Sequence, residues 1–160
     1  MTDDRPDFGV LLSLAGVTFA EELRLHMHAS GFVGFTTRTG FVLRLLADEP
    51  LSVRVLAERL HMTPQATLKL VEGMTLAGFV DRAPKGLDRR QRIVKIGDRG
   101  REALDAAKAF HARFELNLAA EVGADTAREV RHALELVAGR TGVRVPGGAG
   151  RDRAPGDLRH

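Results

Sequence analysis

The sequence of 160 residues contains six histidines and no cysteine, which limits the chemistry that its side chains can perform. Without cysteine there is no thiol nucleophile, thiolate metal ligand, disulfide or thiol redox switch. His26 and His28 stand two residues apart in an apolar segment. On a helix this spacing places two side chains on different faces, so the pair does not favour a shared metal ion.

The other histidines give equally weak metal signals. Glu129 and His132 have the helical spacing of carboxylate-bridged metal sites, but such sites need further carboxylates. An ordinary surface or core histidine is the simpler interpretation for each. One alternative is a metal-responsive site in which His26 or His28 meets His111 across a dimer. A small metal-dependent enzyme is another.

Enzyme and cofactor motifs are missing from the sequence. It contains no Gly-x-Ser-x-Gly, His-Glu-x-x-His, phosphate-binding loop or dinucleotide fingerprint. We therefore expect a protein that is not an enzyme and has no catalytic residue, metal or cofactor.

Positive charge is concentrated in the middle of the chain. The net charge is +3, yet residues 51–100 carry ten lysines and arginines against five acidic residues, while residues 1–50 are net acidic. The steepest excess lies between Arg82 and Lys95. A solvated surface is one interpretation, and a site for a polyanion is the other.

Apolar spacing predicts the elements that must position these groups. Steps of three and four residues predict helices, and alternation predicts a strand. The expected fold is mainly α with a small two-stranded β-hairpin. We predict helices over 8–30, 37–47, 52–60, 63–77, 98–122 and 125–138, with the hairpin running from Phe79 to Ile96.

The third and fourth predicted helices form a helix-turn-helix. Ser52 and Thr63 suit the N-cap positions, and Pro64 suits the first helical turn. Gly78 suits the residue that ends the fourth helix. A basic hairpin follows directly, which makes the unit a winged helix whose second helix can enter a major groove.

The motifs of this unit resemble the MarR (multiple antibiotic resistance regulator) family of bacterial transcription regulators. The element order matches from about residue 8 to residue 139. The resemblance implies a homodimer, a double-stranded pseudo-palindromic operator and a small-molecule pocket, and we expect a ligand-responsive repressor. It is carried by residues 56–60, 63–65, 78–82, 88–90 and 96–100.

Three positions depart from the family pattern. His61 stands where a turn glycine is usual, so the turn needs another backbone solution or strain. Thr67 replaces a branched apolar residue, which we expect to weaken local packing. Gly97 replaces a capping threonine, so we expect Asp98 to share the capping.

DNA contacts are expected from the fourth helix and the hairpin. Gln65, Ala66, Leu68 and Lys69 are the outward candidates for reading bases, and Thr63 with the helix N-terminus suits phosphate. At the hairpin, Arg90 suits the minor groove, held by Asp88. The remaining phosphate contacts are expected from Lys85, Arg89 and Arg92.

A ligand pocket is expected between two lobes. Residues 1–35 and 98–139 are predicted to form a helical dimerisation lobe, and residues 36–97 the winged helix. Residues 140–160 are predicted to be a disordered tail. Apolar walls and one cation suit an aromatic or phenolic acid. The candidates are His26, Phe35, Thr36, Arg38, Phe41 and Phe110, although dimer core and solvated charge would also explain them.

Two further expectations concern the cellular location of the protein and its binding partner. We expect a cytoplasmic protein, because the sequence has no signal peptide and no apolar run long enough to cross a membrane. A winged helix that recruits an acidic protein partner instead of DNA is an alternative that the sequence leaves open.

Overall fold

A computed structural model describes residues 5–82 and 92–140 of the chain. Within these ranges the protein is mainly helical, with one small antiparallel sheet, as the sequence predicts. In chain order the elements are α1 (Phe8–Ala29), α2 (Thr37–Asp48), β1 (Leu51–Ser52), α3 (Val53–Arg59), α4 (Pro64–Leu76), β2 (Val80–Arg82), β3 (Ile93–Ile96), α5 (Asp98–Val122) and α6 (Ala124–Gly139).

Hydroxyl side chains set the starts of the three central helices. The Ser52 and Thr63 oxygens accept hydrogen bonds from the backbone N–H groups of Val55 and Ala66, each at 3.2 Å. Thr36 and Thr39 cap the start of α2 reciprocally. These bonds satisfy N–H groups that have no partner inside the helix. The predicted caps at Ser52 and Thr63 are confirmed.

The sheet has three strands, whereas the sequence predicts two. Its order is β1-β3-β2, with Leu51 opposite Val94 and Val80 opposite Ile96. The missed strand, β1, is only two residues long, so alternation along the sequence could not reveal it. It ties the segment before α3 to the base of the hairpin.

The starts of α5 and α6 differ from the sequence prediction. Glycines, Gly97 and Gly123, occupy the N-cap positions, and neither helix has a side-chain cap. Asp98 and Asp125 lie inside the first turns instead, where a negative charge still favours the helix dipole. The helix predicted to begin at residue 125 therefore begins one residue earlier, at Ala124.

The core connects the winged helix to α1 and α5. Leu43, Leu56 and Val71 are fully buried, together with Met27 on α1 and Ala103 on α5. A Cβ built on Gly100 would lie 2.0 Å from the Phe79 carbonyl oxygen, so glycine is required at that crossing. The beginning of α5 thus packs directly against the backbone that ends α4.

Both ends of the described chain leave apolar side chains open. Every residue of α1 from Phe8 to Thr18 is exposed, and in α6 only Ala127 is buried. The exposed fraction reaches 68% at Val17 and 47% at Leu134. No helix in residues 5–82 and 92–140 combines the length and hydropathy needed to span a membrane.

Candidate nucleic-acid interface

The turn between α3 and α4 repeats a helix ending that the chain uses with glycine elsewhere. Three helices end with the same two backbone hydrogen bonds, as α3 does with His61 N–H to the Glu58 carbonyl and Met62 N–H to the Ala57 carbonyl. At each end the residue after the C-cap has positive φ: Gly31 after α1, His61 after α3 and Gly78 after α4. His61 has φ of 51°, whereas the glycines have 86° and 75°. The side chain of His61 makes this left-handed conformation more costly than glycine would. The turn thus keeps the left-handed backbone, which of the two expected outcomes favours strain over another backbone solution.

The start of α4 is fixed by bonds between its own threonines. The Thr67 hydroxyl donates to the Thr63 carbonyl at 3.0 Å, and the Thr67 N–H donates to the same oxygen at 3.0 Å. Thr67 is fully buried. Because its hydroxyl is hydrogen-bonded, the cost of burying it is offset. The expected weakening of local packing is therefore reduced by this bond.

One face of α4 is open along the length of the helix. Gln65, Ala66 and Lys69 are exposed, as is Thr63 at the N-cap. Leu68 is half-buried and packs against the core, so it faces outward less than expected. The open face presents the Gln65 amide and the Lys69 ammonium, both of which can donate hydrogen bonds to DNA.

The base of the hairpin lies beside this helical unit. The Val53 N–H donates to the Arg92 carbonyl at 3.1 Å, and the exposed side chain of Arg92 leaves the sheet at that point. Asp81 and Lys95 face each other across β2 and β3, with Nζ and Oδ2 4.0 Å apart. The expected contacts Lys85, Asp88, Arg89 and Arg90 lie outside the described residues.

A cluster of aromatic rings and histidines forms where α1 crosses α5. The ring centroid of Phe19 lies 5.7 Å from Phe110, 5.1 Å from His111 and 4.9 Å from Phe114. His26 stacks on Phe110 with centroids 5.3 Å apart. Phe19 and Phe114 lie on helices that are far apart in the sequence, so their meeting in space could not be predicted from it.

Positive charge surrounds this cluster. Arg113 Nη2 and His26 Nδ1 are 3.2 Å apart. Burial lowers the pKa of His111, and the positive charge of Arg44 lowers it further. Histidine that is half-buried beside a cation favours its neutral form. The cluster therefore combines apolar rings with arginine cations around a neutral imidazole.

The six expected ligand residues do not share one role. His26 and Phe110 are in contact, and Phe41 is 43% exposed. Phe35 is 1% exposed; its ring lies 6.1 Å from the Phe79 ring, as part of the core. The remaining two are Thr36, whose hydroxyl caps α2, and Arg38, which is exposed.

Metal ligands do not cluster in the part of the chain that the structure describes. No group of three histidine, aspartate or glutamate side chains is placed to hold an ion there. His26 and His111 approach the same Phe110 ring within one chain, at 5.3 Å and 6.1 Å. Glu129 and His132 lie on an open face of α6 together with Arg128.

Solved structures with the same architecture define the class of protein. A Mycobacterium tuberculosis MarR family protein, Rv2887, solved with salicylic acid, is 28% identical to the chain. The match covers 86% of the chain and 99% of that protein, with a TM-score of 0.60. The repressor CouR, bound to a 23-mer DNA duplex, is 25% identical with a TM-score of 0.67, covering 82% and 92%. The chain has the winged-helix fold of transcription regulators.

The sequence itself matches the same group. The model of the MarR family matches residues 33–91, which include the helix-turn-helix and β2 but end before β3. Rv2887 has also been solved with DNA, at 25% identity, 83% and 98% coverage and a TM-score of 0.63. No curated protein sequence matches the chain. The chain is therefore similar to MarR family transcription regulators, in the sequence of residues 33–91 and in its fold.

Proposed function

We propose that the protein is a homodimeric transcriptional repressor that binds a pseudo-palindromic operator in double-stranded DNA and releases it in response to a small molecule. The observation that carries the DNA-binding part is the open face of α4. Its capped N-terminus and its exposed Gln65 and Lys69 stand beside the base of a basic hairpin. This is the arrangement that a recognition helix needs in a major groove. DNA-bound Rv2887 and CouR support it.

Individual roles follow from side-chain chemistry. Gln65 suits adenine, Leu68 a thymine methyl, and Lys69 guanine or phosphate; Ala66 allows close approach. Thr63 with the start of α4 suits a phosphate. In the hairpin, Arg90 is assigned to the minor groove, with Asp88 orienting it. Phosphate contacts are assigned to Lys85, Arg89 and Arg92.

The homodimer is inferred from the open ends of the chain. Apolar side chains on α1 and α6, such as Val17 and Leu134, lack cover in the single chain. Large exposed apolar faces mark association surfaces, and two-fold dimers are the commonest solution. We therefore assign residues 1–35 and 98–139 to a dimerisation lobe and residues 36–97 to the DNA-binding lobe. A regulator of this kind acts in the cytoplasm, where bacterial DNA lies.

An aromatic or phenolic acid is the proposed effector. Phe110, His26 and Arg113 place aromatic surface next to a cation, which is the chemistry that an aromatic carboxylate needs. The complexes of Rv2887 with salicylic acid and p-aminosalicylic acid support this class. Of the residues expected from the sequence, His26 and Phe110 carry this proposal, because Phe35 and Thr36 have structural roles.

Selection of bound duplexes from a random pool tests the DNA-binding function. A palindromic consensus is expected from the wild-type protein. Fluorescence anisotropy at fixed salt then compares Arg90→Ala with Arg140→Ala, a control on an exposed arginine at the end of α6. We expect Arg90→Ala to lose specific binding while remaining a folded dimer. Equal affinity of both variants for the operator would contradict the assigned minor-groove role.

Effector binding has a separate test. Salicylate and related acids are added in a thermal-shift assay to the wild type and to His26→Ala. A rise in melting temperature that is smaller in the variant is expected, because a ligand that binds only the folded state stabilises it. No shift with any aromatic acid would count against this effector class and leave the DNA-binding proposal standing.

A further inference from the structure

Arg99 contacts parts of the chain that are far apart in the sequence. It lies in the first turn of α5, and its Nη2 donates a hydrogen bond to the Gly31 carbonyl at 2.6 Å. The guanidinium carbon is 5.4 Å from the ring centroid of Phe32 and 5.8 Å from that of Phe79. Both distances are within the range of cation–π contacts. The side chain therefore joins the loop after α1 to the residue that follows α4.

The backbone around Phe79 transmits this contact to α4. The Phe79 N–H donates to the Met74 carbonyl at 2.9 Å, and its own carbonyl accepts from the Gly97 N–H at 3.0 Å. The end of α4 is thus tied to the start of α5. Arg99 adds the third connection, from this junction to the end of α1.

The position of α4 in a dimer depends on this junction. In the proposed dimer, α1 belongs to the association surface and α4 reads DNA. Two recognition helices must lie about 34–36 Å apart to reach successive major grooves. A small rotation of α4 against α1 would change that distance. The Arg99 guanidinium is exposed, so its contacts add little to stability, but they restrict this rotation.

We propose that Arg99 is a positioning residue that sets the half-site spacing which the protein accepts in its operator. The proposal rests on the dimeric DNA-binding function proposed above. Arg99 acts through the placement of α4 and contacts no base or phosphate itself. Its loss should therefore widen the range of spacings that bind, which a lost phosphate contact would not do.

Operators with altered spacers test this inference. The selected operator is prepared with its two half-sites at the natural spacing and at spacings changed by one base pair in either direction. For the wild type we expect about tenfold weaker binding to the altered operators, comparable to the cost of a mismatched base pair. For Arg99→Ala we expect the difference between spacings to shrink to about threefold or less, with weaker binding to the natural operator.

Two further variants separate position from charge. Arg101→Ala removes an exposed arginine from the beginning of the same helix, and its spacing preference should equal that of the wild type. Arg99→Lys keeps the charge and a donor for Gly31 but loses the planar group that lies over two rings, so it should restore the preference only in part. If Arg99→Ala does not fold, as judged by circular dichroism, Arg99→Lys carries the test.

Two results would overturn the inference alone. One is an unchanged spacing preference in the folded Arg99 variants. The other concerns the slope of log K against the logarithm of the salt concentration. If its magnitude for Arg99→Ala is about 0.9 smaller than for the wild type, Arg99 is a phosphate contact. A wild-type protein without any operator preference would overturn the proposed DNA-binding function, and this inference with it.

Discussion

The middle of the chain and its two ends treat apolar side chains in opposite ways. Between α2 and β3, Leu43, Leu56 and Val71 are completely buried. In the first half of α1, Leu14 and Val17 are 57% and 68% exposed, and Leu134 on α6 is 47% exposed. The residue types are similar, so the difference lies in what surrounds them. The winged helix closes around its own core, whereas the terminal helices leave apolar side chains exposed, on the surface that we propose for dimerisation.

The difference also appears in how the ends are held. Arg131 on α6 makes a two-pronged ion pair with Glu115 on α5, with Nε and Oε1 2.7 Å apart. The hydrogen bond from Arg131 lowers the pKa of the Glu115 carboxyl. Exposed pairs of this kind contribute little to stability. The ion pair thus joins α6 to α5 without covering the exposed apolar side chains of α6.

Replacing one leucine in each region should give the largest difference. Leu43→Ala removes a fully buried side chain and should lower the free energy of unfolding by about 2–5 kcal/mol. Leu14→Ala should lower it by much less, and by an amount that depends on protein concentration, because its cover comes from a second chain. Urea unfolding at two protein concentrations measures the loss of stability in both variants. A loss for Leu14→Ala as large as that for Leu43→Ala, and independent of concentration, would refute the contrast.

A charge on the open face should separate the proposed dimer. Leu134→Glu places a carboxylate in the surface assigned to association and should weaken dimerisation at least about 100-fold. Leu76→Glu makes the same change at a leucine that is 91% exposed at the end of α4, outside that surface. Sedimentation velocity should find the first variant monomeric and the second dimeric. A dimeric Leu134→Glu protein would mean that α6 does not form the interface.

The sequence predicted most of the local structure because local chemistry determines it. Ser52, Thr63 and Gly78 set the ends of helices through bonds within a few residues, and the structure confirms all three. The left-handed backbone at His61 is set by equally local bonds. The two-residue strand β1 was missed because it exists only by pairing with β3, which lies about forty residues further along.

The sites were harder to predict because they depend on contacts that are distant in sequence. Phe35 was proposed as a ligand contact, yet it packs on Phe79 in the core. The meeting of Phe19 with His111, and the bond from Arg99 to Gly31, join residues separated by more than sixty positions. Helical spacing shows which face a residue occupies, but not which element packs against that face.

Replacing Gly73 in α4 tests whether the winged helix can be made more stable. A Cβ at Gly73 would meet no atom within 4 Å, so Gly73→Ala should raise the free energy of unfolding by up to about 1 kcal/mol through helix propensity. Gly78→Ala is the matched control at the end of the same helix. Its φ of 75° disfavours a side chain, so this variant should be destabilised. Thermal unfolding compares the two, and a stability loss in Gly73→Ala would point to a contact that the single chain does not show.

The smallest expected effect lies where the two regions meet, at His111. Burial and Arg44 lower its pKa in the folded protein below the usual 6.5, so the unfolded chain takes up a proton first as the pH falls. Stability should therefore decrease as the pH drops below 6.5, and the loss should be complete once the pH is below the lowered pKa. His111→Gln carries no proton and should show a smaller difference in urea midpoint between pH 8 and pH 5 than the wild type. If His111→Gln and the wild type respond equally to pH, the imidazole is solvated and the junction of α1 with α5 is more open than the ring distances indicate.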